Sequence, residues 1–419
     1  MKKIIAFTCC LSLIFAFFAC GDSQTDFSPE SQYGNTGGTD MVTDVQSDFS
    51  SHVSQSGAIS SSGGAVSTDE STDLVTDSES DVSTDSDQET DSSESEKTED
   101  LTYDVFTETV DHKFITTDII NFSIVVYDLN LCEGDFSKLA DDSAIIWEWK
   151  SREDPNCHYA NKIIRSISGV KFRYSAYYKR DVVIACANFG WVGVIDYENC
   201  RLLWECELPV GPHSVEMLPN GDVVVGSADG DGAVFYIPLS AGAVAPTHSI
   251  VSPSCHGVCW DPQAECLWVL EKEGVFACIV QNPGTLDGTL VRVEGVGAKF
   301  SADSGGHAFS PIAGEPGKYW VSARKLWIFD SGEGTLTLAD EVLITGAIKG
   351  VCSFNDKTVI VANAGLCGNN VYSWGSDGFR IITREPSGGV ETEPKYKVTV
   401  VPISGREFYK IQAFTKDYQ

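Results

Sequence analysis

Residues 211–237 read GPHSVEMLPNGDVVVGSADGDGAVFYI, and three short strands fit this stretch. The first covers 213–218, the second 223–228 and the third 233–237. Pro219-Asn220-Gly221-Asp222 separates the first two, and Asp229-Gly230-Asp231-Gly232 the second and third. Asn-Gly and Asp-Gly pairs mark tight antiparallel turns because both residues tolerate positive φ. A further strand near 247–251 makes a quartet.

The same grammar recurs on both sides. Within 167–208 lie VKFRYS, DVVIACA (181–187), WVGVIDY (191–197) and RLLWECEL (201–208). A fourth unit starts at His256 with HGVCWD, continues through CLWVLEK and VFACIV, and closes near 289–293. The fifth starts at His307 with HAFSPI, then KYWVSA, KLWIFDS and 337–344. The sixth runs from KGVCSF at Lys349 through TVIVANA and NVYSWGS to a strand near 397–403. With Arg173, His213, His256, His307 and Lys349 as starts, the spacings are 40, 43, 51 and 42 residues. Four strands per such period is the signature of a β-propeller blade, and a sandwich would not repeat the quartet.

The first unit is incomplete. FITTDI, SIVVYDL and AIIWEWK match the second to fourth strands of a blade, with no first strand before them, while EFYKIQAF (407–414) has no later partner. The last strand is therefore expected to complete the first blade. That predicts an all-β, six-bladed propeller over 112–419, closed by its C-terminal strand and without open edges. PHSVEMLPNGDVVV, CHGVCWD with its following LWVL, GGHAFSP, IKGV and FYKI resemble an uncharacterised family of bacterial secreted and lipid-anchored six-bladed propellers, over essentially all of 112–419. The resemblance implies the fold and no agreed activity. In the family pattern an Asp follows the third His, where this chain has Ala308.

Ahead of the propeller, Lys2 and Lys3 precede an apolar run over 4–18, too short to span a membrane. It ends Phe17-Phe18-Ala19-Cys20-Gly21, which resembles a bacterial lipobox. Residues 1–19 are thus expected to be a lipoprotein signal peptide and Cys20 the lipidated residue, anchoring an extracellular protein to the bacterial cell membrane; two acyl chains suffice for this. Phe17 stands where lipoboxes carry Leu, which leaves ordinary signal cleavage as the alternative. Residues 21–111 hold 23 acidic residues and one basic one, Lys97. Such a segment cannot bury enough apolar surface to order itself, so 20–111 is expected to be an extended, disordered tether.

Residues 112–419 carry 26 basic and 37 acidic residues. An acidic domain has no electrostatic footprint for nucleic acid. Its 11 cysteines are an odd number, which rules out a fully paired disulfide framework in the monomer expected here. Several fall at strand positions where a free thiol serves as a small core hydrophobe. Cys200 and Cys206 could bridge.

In a propeller the innermost strands line a central channel, so equivalent strand openings converge at one mouth. The candidates are Arg173, His213, His256, His307, Lys349 and Lys410, with Glu216 and Asp303 as nearby acids. Three of the domain's six His fall at matched openings. One chemistry is a divalent metal (Mn, Zn or Ca) held by His213, His256 and His307. Propeller-fold uronate lyases are similar in gathering several His and a metal at one mouth, and a metal-dependent polysaccharide lyase would follow. The other is a metal-free, donor-rich cup for an anionic saccharide or other small anion. A wet polar channel without a ligand is the bland alternative. A non-catalytic scaffold for a protein or cell-wall partner is the rival function.

Weaker signals resolve structurally. Cys255-His256-x-x-Cys259 with Cys266 looks like a zinc set, but strand alternation sends the two thiols and His256 to opposite faces. Asp229-Gly230-Asp231-Gly232 suits a hairpin turn better than a calcium loop. Trp147, Trp149, Trp204, Trp268, Trp320 and Trp327 read as blade-packing core. No nucleophile elbow, phosphate loop or dinucleotide fingerprint is present.

Overall fold

The computed structural model describes residues 111–301, 305–340, 343, 346–384 and 396–418. The expected signal peptide, Cys20, the tether up to residue 110 and Asp303 lie outside these. The described chain forms 24 strands in six four-stranded antiparallel sheets. Blade 1 contains β1 (Lys113–Asp118), β2 (Ser123–Asp128) and β3 (Ile145–Lys150). Blade 2 is β4 (Ile167–Ser175), β5 (Arg180–Ala187), β6 (Trp191–Asp196) and β7 (Arg201–Glu207). Blade 3 is β8 (Pro212–Met217), β9 (Val223–Ser227), β10 (Ala233–Ile237) and β11 (His248–Val251). Blade 4 is β12 (Gly257–Asp261), β13 (Cys266–Glu271), β14 (Gly274–Gln281) and β15 (Thr289–Lys299). Blade 5 is β16 (Ala308–Pro311), β17 (Lys318–Ser322), β18 (Leu326–Asp330) and β19 (Thr335–Leu338). Blade 6 is β20 (Ile348–Ser353), β21 (Val359–Asn363), β22 (Gly378–Arg384) and β23 (Tyr396–Pro402). The last strand, β24 (Phe408–Ala413), pairs with β1 through Phe114–Ala413, Thr116–Ile411 and Asp118–Phe408, so the ring closes as expected.

The two turns that opened the sequence reading are present. Gly221 and Gly232 hold φ of 92° and 72°, values an L side chain would resist. Second and third strands are continuous apolar runs, such as VVIACA, because each blade is sandwiched between two others and both faces are buried. Six apolar clusters fill the six interfaces. Phe114, Tyr127, Phe379 and Phe408 join blades 6 and 1, for example, and Ile124, Trp149, Val183 and Trp191 join 1 and 2. Trp149 and Trp268 donate their indole N–H to Asp154 and Asp261, which satisfies a buried polar atom inside the apolar layer. All 11 cysteines of the domain are free, Cys200 and Cys206 included.

Three expectations shift. The inner strand of blade 2 opens at Ile167 and not at Arg173. The outer strand of blade 5 is Thr335–Leu338, ahead of the expected 337–344. In blade 6, NVYSWGS is a loop and the third strand is GFRIITR, whose Phe379 and Ile381 bury in the interface with blade 1. The loop is pinned by carboxylates: Glu407 accepts from the amides of Val371 (2.8 Å) and Tyr372 (2.9 Å), and Asp377 from those of Cys367 (2.8 Å) and Asn369 (2.6 Å). Backbone donors satisfied this way have no need of a sheet ladder.

Candidate functional site

Five of the six inner strands open on a residue turned toward the channel, followed by a small one. The pairs are Ser168-Gly169, His213-Ser214, His256-Gly257, His307-Ala308 and Lys349-Gly350. The small residue is required by close strand approach. A Cβ at Gly257 would lie 2.4 Å from Phe309 Cβ, and one at Gly350 would lie 2.5 Å from Ile411 N. The preceding residue escapes the ladder. Pairing skips Ser168, His213 and Lys349 at register shifts, and a similar shift lies between Thr116 and Asp118, opposite Tyr409 and Lys410. Such bulges re-aim side chains.

The re-aimed side chains line a cavity of about 610 Å3 together with Arg165, Asn188, Asp229, Tyr409 and an aromatic rim of Phe189, Tyr372 and Trp374. His213 and His256 ring centroids are 4.6 Å apart, and those of His256 and His307 are 4.7 Å apart. Lys349 Nζ lies 3.2 Å from His307 Nε2. An ammonium only donates, so the His307 proton sits on Nδ1. That Nδ1 has no protein partner, and the same holds for His213 Nδ1, Ser166 Oγ and Asn188 Oδ1. Of nine such buried atoms among the described residues, these four belong to side chains around this one cavity.

Burial, with Lys410 and Lys349 adding to it, pulls the His213 pKa down to about 4. Burial, then Lys349 and Lys410, pulls His307 down to about 3, and His256 is likewise held well below its ordinary value, chiefly by burial. The imidazoles are therefore neutral at physiological pH, and the charge at the mouth comes from Lys349 and Arg165. Opposing them, Asp229 Oδ1 lies 3.9 Å from His213 Nε2, but that side chain is 57% exposed.

The structure thus gathers His213, His256, His307 and Lys349 at one mouth. Lys410 lies deeper, its Nζ 3.4 Å from the His256 carbonyl oxygen. Arg173 and Glu216 belong elsewhere. Arg173 is five residues along β4 from Ser168, roughly 16 Å at strand rise, toward the opposite end of the channel. There Glu216 is fully buried and takes Arg173 Nε at 2.8 Å and Lys171 Nζ at 2.6 Å. Burial would raise the Glu216 pKa, but Arg173 and Lys171 outweigh it and hold the carboxyl below its usual range. The chain's C-terminal segment covers this end. Arg173 donates to the Thr415 carbonyl, its guanidinium lies 4.8 Å from the Tyr418 ring centre, and Tyr418 donates to the Met217 carbonyl at 2.6 Å. The mouth residue of blade 2 is Ser168, and sequence reasoning passed over it along with Arg165, Tyr372 and Trp374. The shared pattern of a residue, then a small residue, then Val in Ser168-Gly169-Val170, His256-Gly257-Val258 and Lys349-Gly350-Val351 is the signal that would have found Ser168.

Although the three imidazoles touch, no group of three His, Cys, Asp or Glu among the described residues is disposed to hold a metal ion. The thiol of Cys255 contacts the Gly257 carbonyl and packs against Gly226, apart from the His256 ring.

Among curated proteins none matches this chain. Among solved structures it is similar to a protein of unknown function from Bacteroides caccae (10% identity, 72% of this chain and 98% of that one, TM-score 0.43). It is also similar to the Cps50 (Swd1) β-propeller domain of Myceliophteria thermophila (10%, 60% and 89%, 0.37) and to the dihydro-heme d1 dehydrogenase NirN (14%, 71% and 55%, 0.36). At such identities and scores none of them bears on function. A family model, however, matches residues 136–367, which is more than half of the sequence and takes in His213, His256, His307 and Lys349, and the chain belongs to that Family of unknown function (DUF6528).

Proposed function

We propose that the His-ringed mouth binds an acidic saccharide, with Lys349 facing its carboxylate and the Phe189–Tyr372–Trp374 rim stacking on a sugar face. The observation that carries this reading is a cavity of ligand size on which three neutral imidazoles, Lys349 and an aromatic rim converge. Small-molecule sites occupy about 300–1,000 Å3, with a few convergent polar groups on a largely apolar wall. The imidazoles and the Lys349 ammonium that line the cavity offer a hydroxyl-rich acidic ligand both acceptors and donors. Lys349 is 8% exposed and pairs with no carboxylate among the described residues, so it is a charge awaiting an anion. The lipobox-like Cys20 would present the mouth outside the cell, in reach of polysaccharide, and an alkyne fatty acid should label the wild type but not Cys20→Ala.

Retention of residues 112–419 on an immobilised polyuronate tests the reading. Wild type should be held and released by salt, because the contact is charge-assisted, while Lys349→Ala and Trp374→Ala should elute early. Equal elution of all three would reject it and favour a protein-binding scaffold. Unsaturated-uronate absorbance appearing in the bound fraction, together with a stoichiometric metal, would extend the reading to a lyase.

A further inference from the structure

Below the mouth the channel narrows to a second cavity of about 10 Å3, lined among others by Lys171, His213, His256, Lys410 and Gln412. This is about the space of one water-sized particle. Lys410 is 5% exposed, and its Nζ has a single weak acceptor, the His256 carbonyl at 3.4 Å. The groups that face it bring no negative charge. Lys349 and Lys171 are cations, His213 and His256 are neutral, and burial pushes the Cys186 and Cys255 thiols up to about 12. Gln412 Nε2 is likewise engaged only at 3.4 Å, with the Phe309 carbonyl. Along the whole axis four buried cations (Lys171, Arg173, Lys349 and Lys410) share one paired carboxylate, Glu216, among the described residues. A buried ammonium with neither carboxylate nor strong acceptor is a costly element unless something neutralises it.

We propose that this lower cavity is a binding site for one small monovalent inorganic anion of halide size, held by Lys410 Nζ and Gln412 Nε2 beneath the His ring. A halide, somewhat larger than a water, would enter by easing the lining apart, whereas carboxylate, sulfate and phosphate are far too large for the space. The site shares His213 and His256 with the mouth above it but uses Lys410 and Gln412 as its donors, so it does not rest on the saccharide reading.

Thermal melting of the propeller in sodium methanesulfonate at pH of about 6, where Lys410 is protonated, tests the site as chloride or bromide replaces methanesulfonate at constant ionic strength. Either halide should raise Tm saturably by a few degrees. Lys410→Met should melt above wild type in methanesulfonate and lose the halide response. Trp374→Ala should lose polyuronate retention yet keep the halide response, which separates this site from the mouth. No halide shift in wild type, or an undiminished shift in Lys410→Met, would overturn the proposal. Should Lys410→Met not fold, bromide-soaked wild-type crystals decide: an anomalous peak against Lys410 Nζ supports the site, and an axis without one overturns it.

Discussion

Lys410 and the three mouth histidines make stability rise with pH, in two separate windows. Burial, with Lys349 adding to it, lowers the Lys410 pKa from 10.5 to about 7. Between those values the unfolded chain holds more protons than the folded one, so in halide-free buffer stability rises with pH through that window. His213 and His307 fall to about 4 and 3 from 6.5, so the unfolded chain takes up protons first as the pH drops below 6.5 and stability falls from there. Urea midpoints in methanesulfonate should therefore climb between pH of about 7 and 9 and decline below about 6. In Lys410→Met the climb should shrink to what Lys349, also lowered by burial, contributes, and the acid decline remain. At this scale His213, His256, His307 and Lys349 were legible because a strongly polar residue precedes a small one inside an apolar run. Ser168 was not, since its hydroxyl is a weak signal and the nearby Arg173 a strong one. Nothing local announces that Arg173 belongs to a buried pair with Glu216: that needs the neighbouring strand β8, 43 residues away.

At the scale of the strand, the small residue after each mouth residue keeps adjacent inner strands in contact around the axis. Gly350→Ala would push a methyl to 2.5 Å from the Ile411 amide of the closing strand. Overpacking of this kind costs about 1–3 kcal/mol. Gly350→Ala should lower the unfolding free energy by that amount in a denaturant titration, whereas Gly346→Ala, with open space around it but φ of 86°, should lose less. Most strands were legible because tight turns and uninterrupted apolar runs coincide. NVYSWGS was not, since its Tyr372 and Trp374 flank a Ser as alternating strand residues would. Tyr372 and Trp374 face the cavity instead, with ring centroids 5.0 Å apart, and the carboxylates of Glu407 and Asp377 take the backbone donors a neighbouring strand would have used.

At the scale of the molecule, closure rests on β24 and on Arg406 just before it. The Arg406 guanidinium reaches Asp118 (3.1 Å), Asp142 (3.0 Å) and Glu148 (2.8 Å) of blade 1. A chain ending at Gly405 loses this clamp, the inner strand of blade 1, and Phe408 and Ile411 from the cluster between blades 1 and 6. It should unfold without the single cooperative transition of the full propeller in calorimetry. Six blades were legible in the sequence because an unpartnered last strand and an incomplete first quartet imply each other. The function was less so: an excess of acidic residues over the domain hides the four cations on its axis, because a charge count carries no positions. That positive axis opens at the mouth, and calorimetric titration with a short uronic-acid oligosaccharide and with its methyl ester tests the mouth most directly. The acid should bind and the ester bind at least about tenfold more weakly, the loss of a charge-assisted contact, with the difference abolished in Lys349→Met. Equal binding of acid and ester, or heat from neither, would contradict an anion-binding mouth.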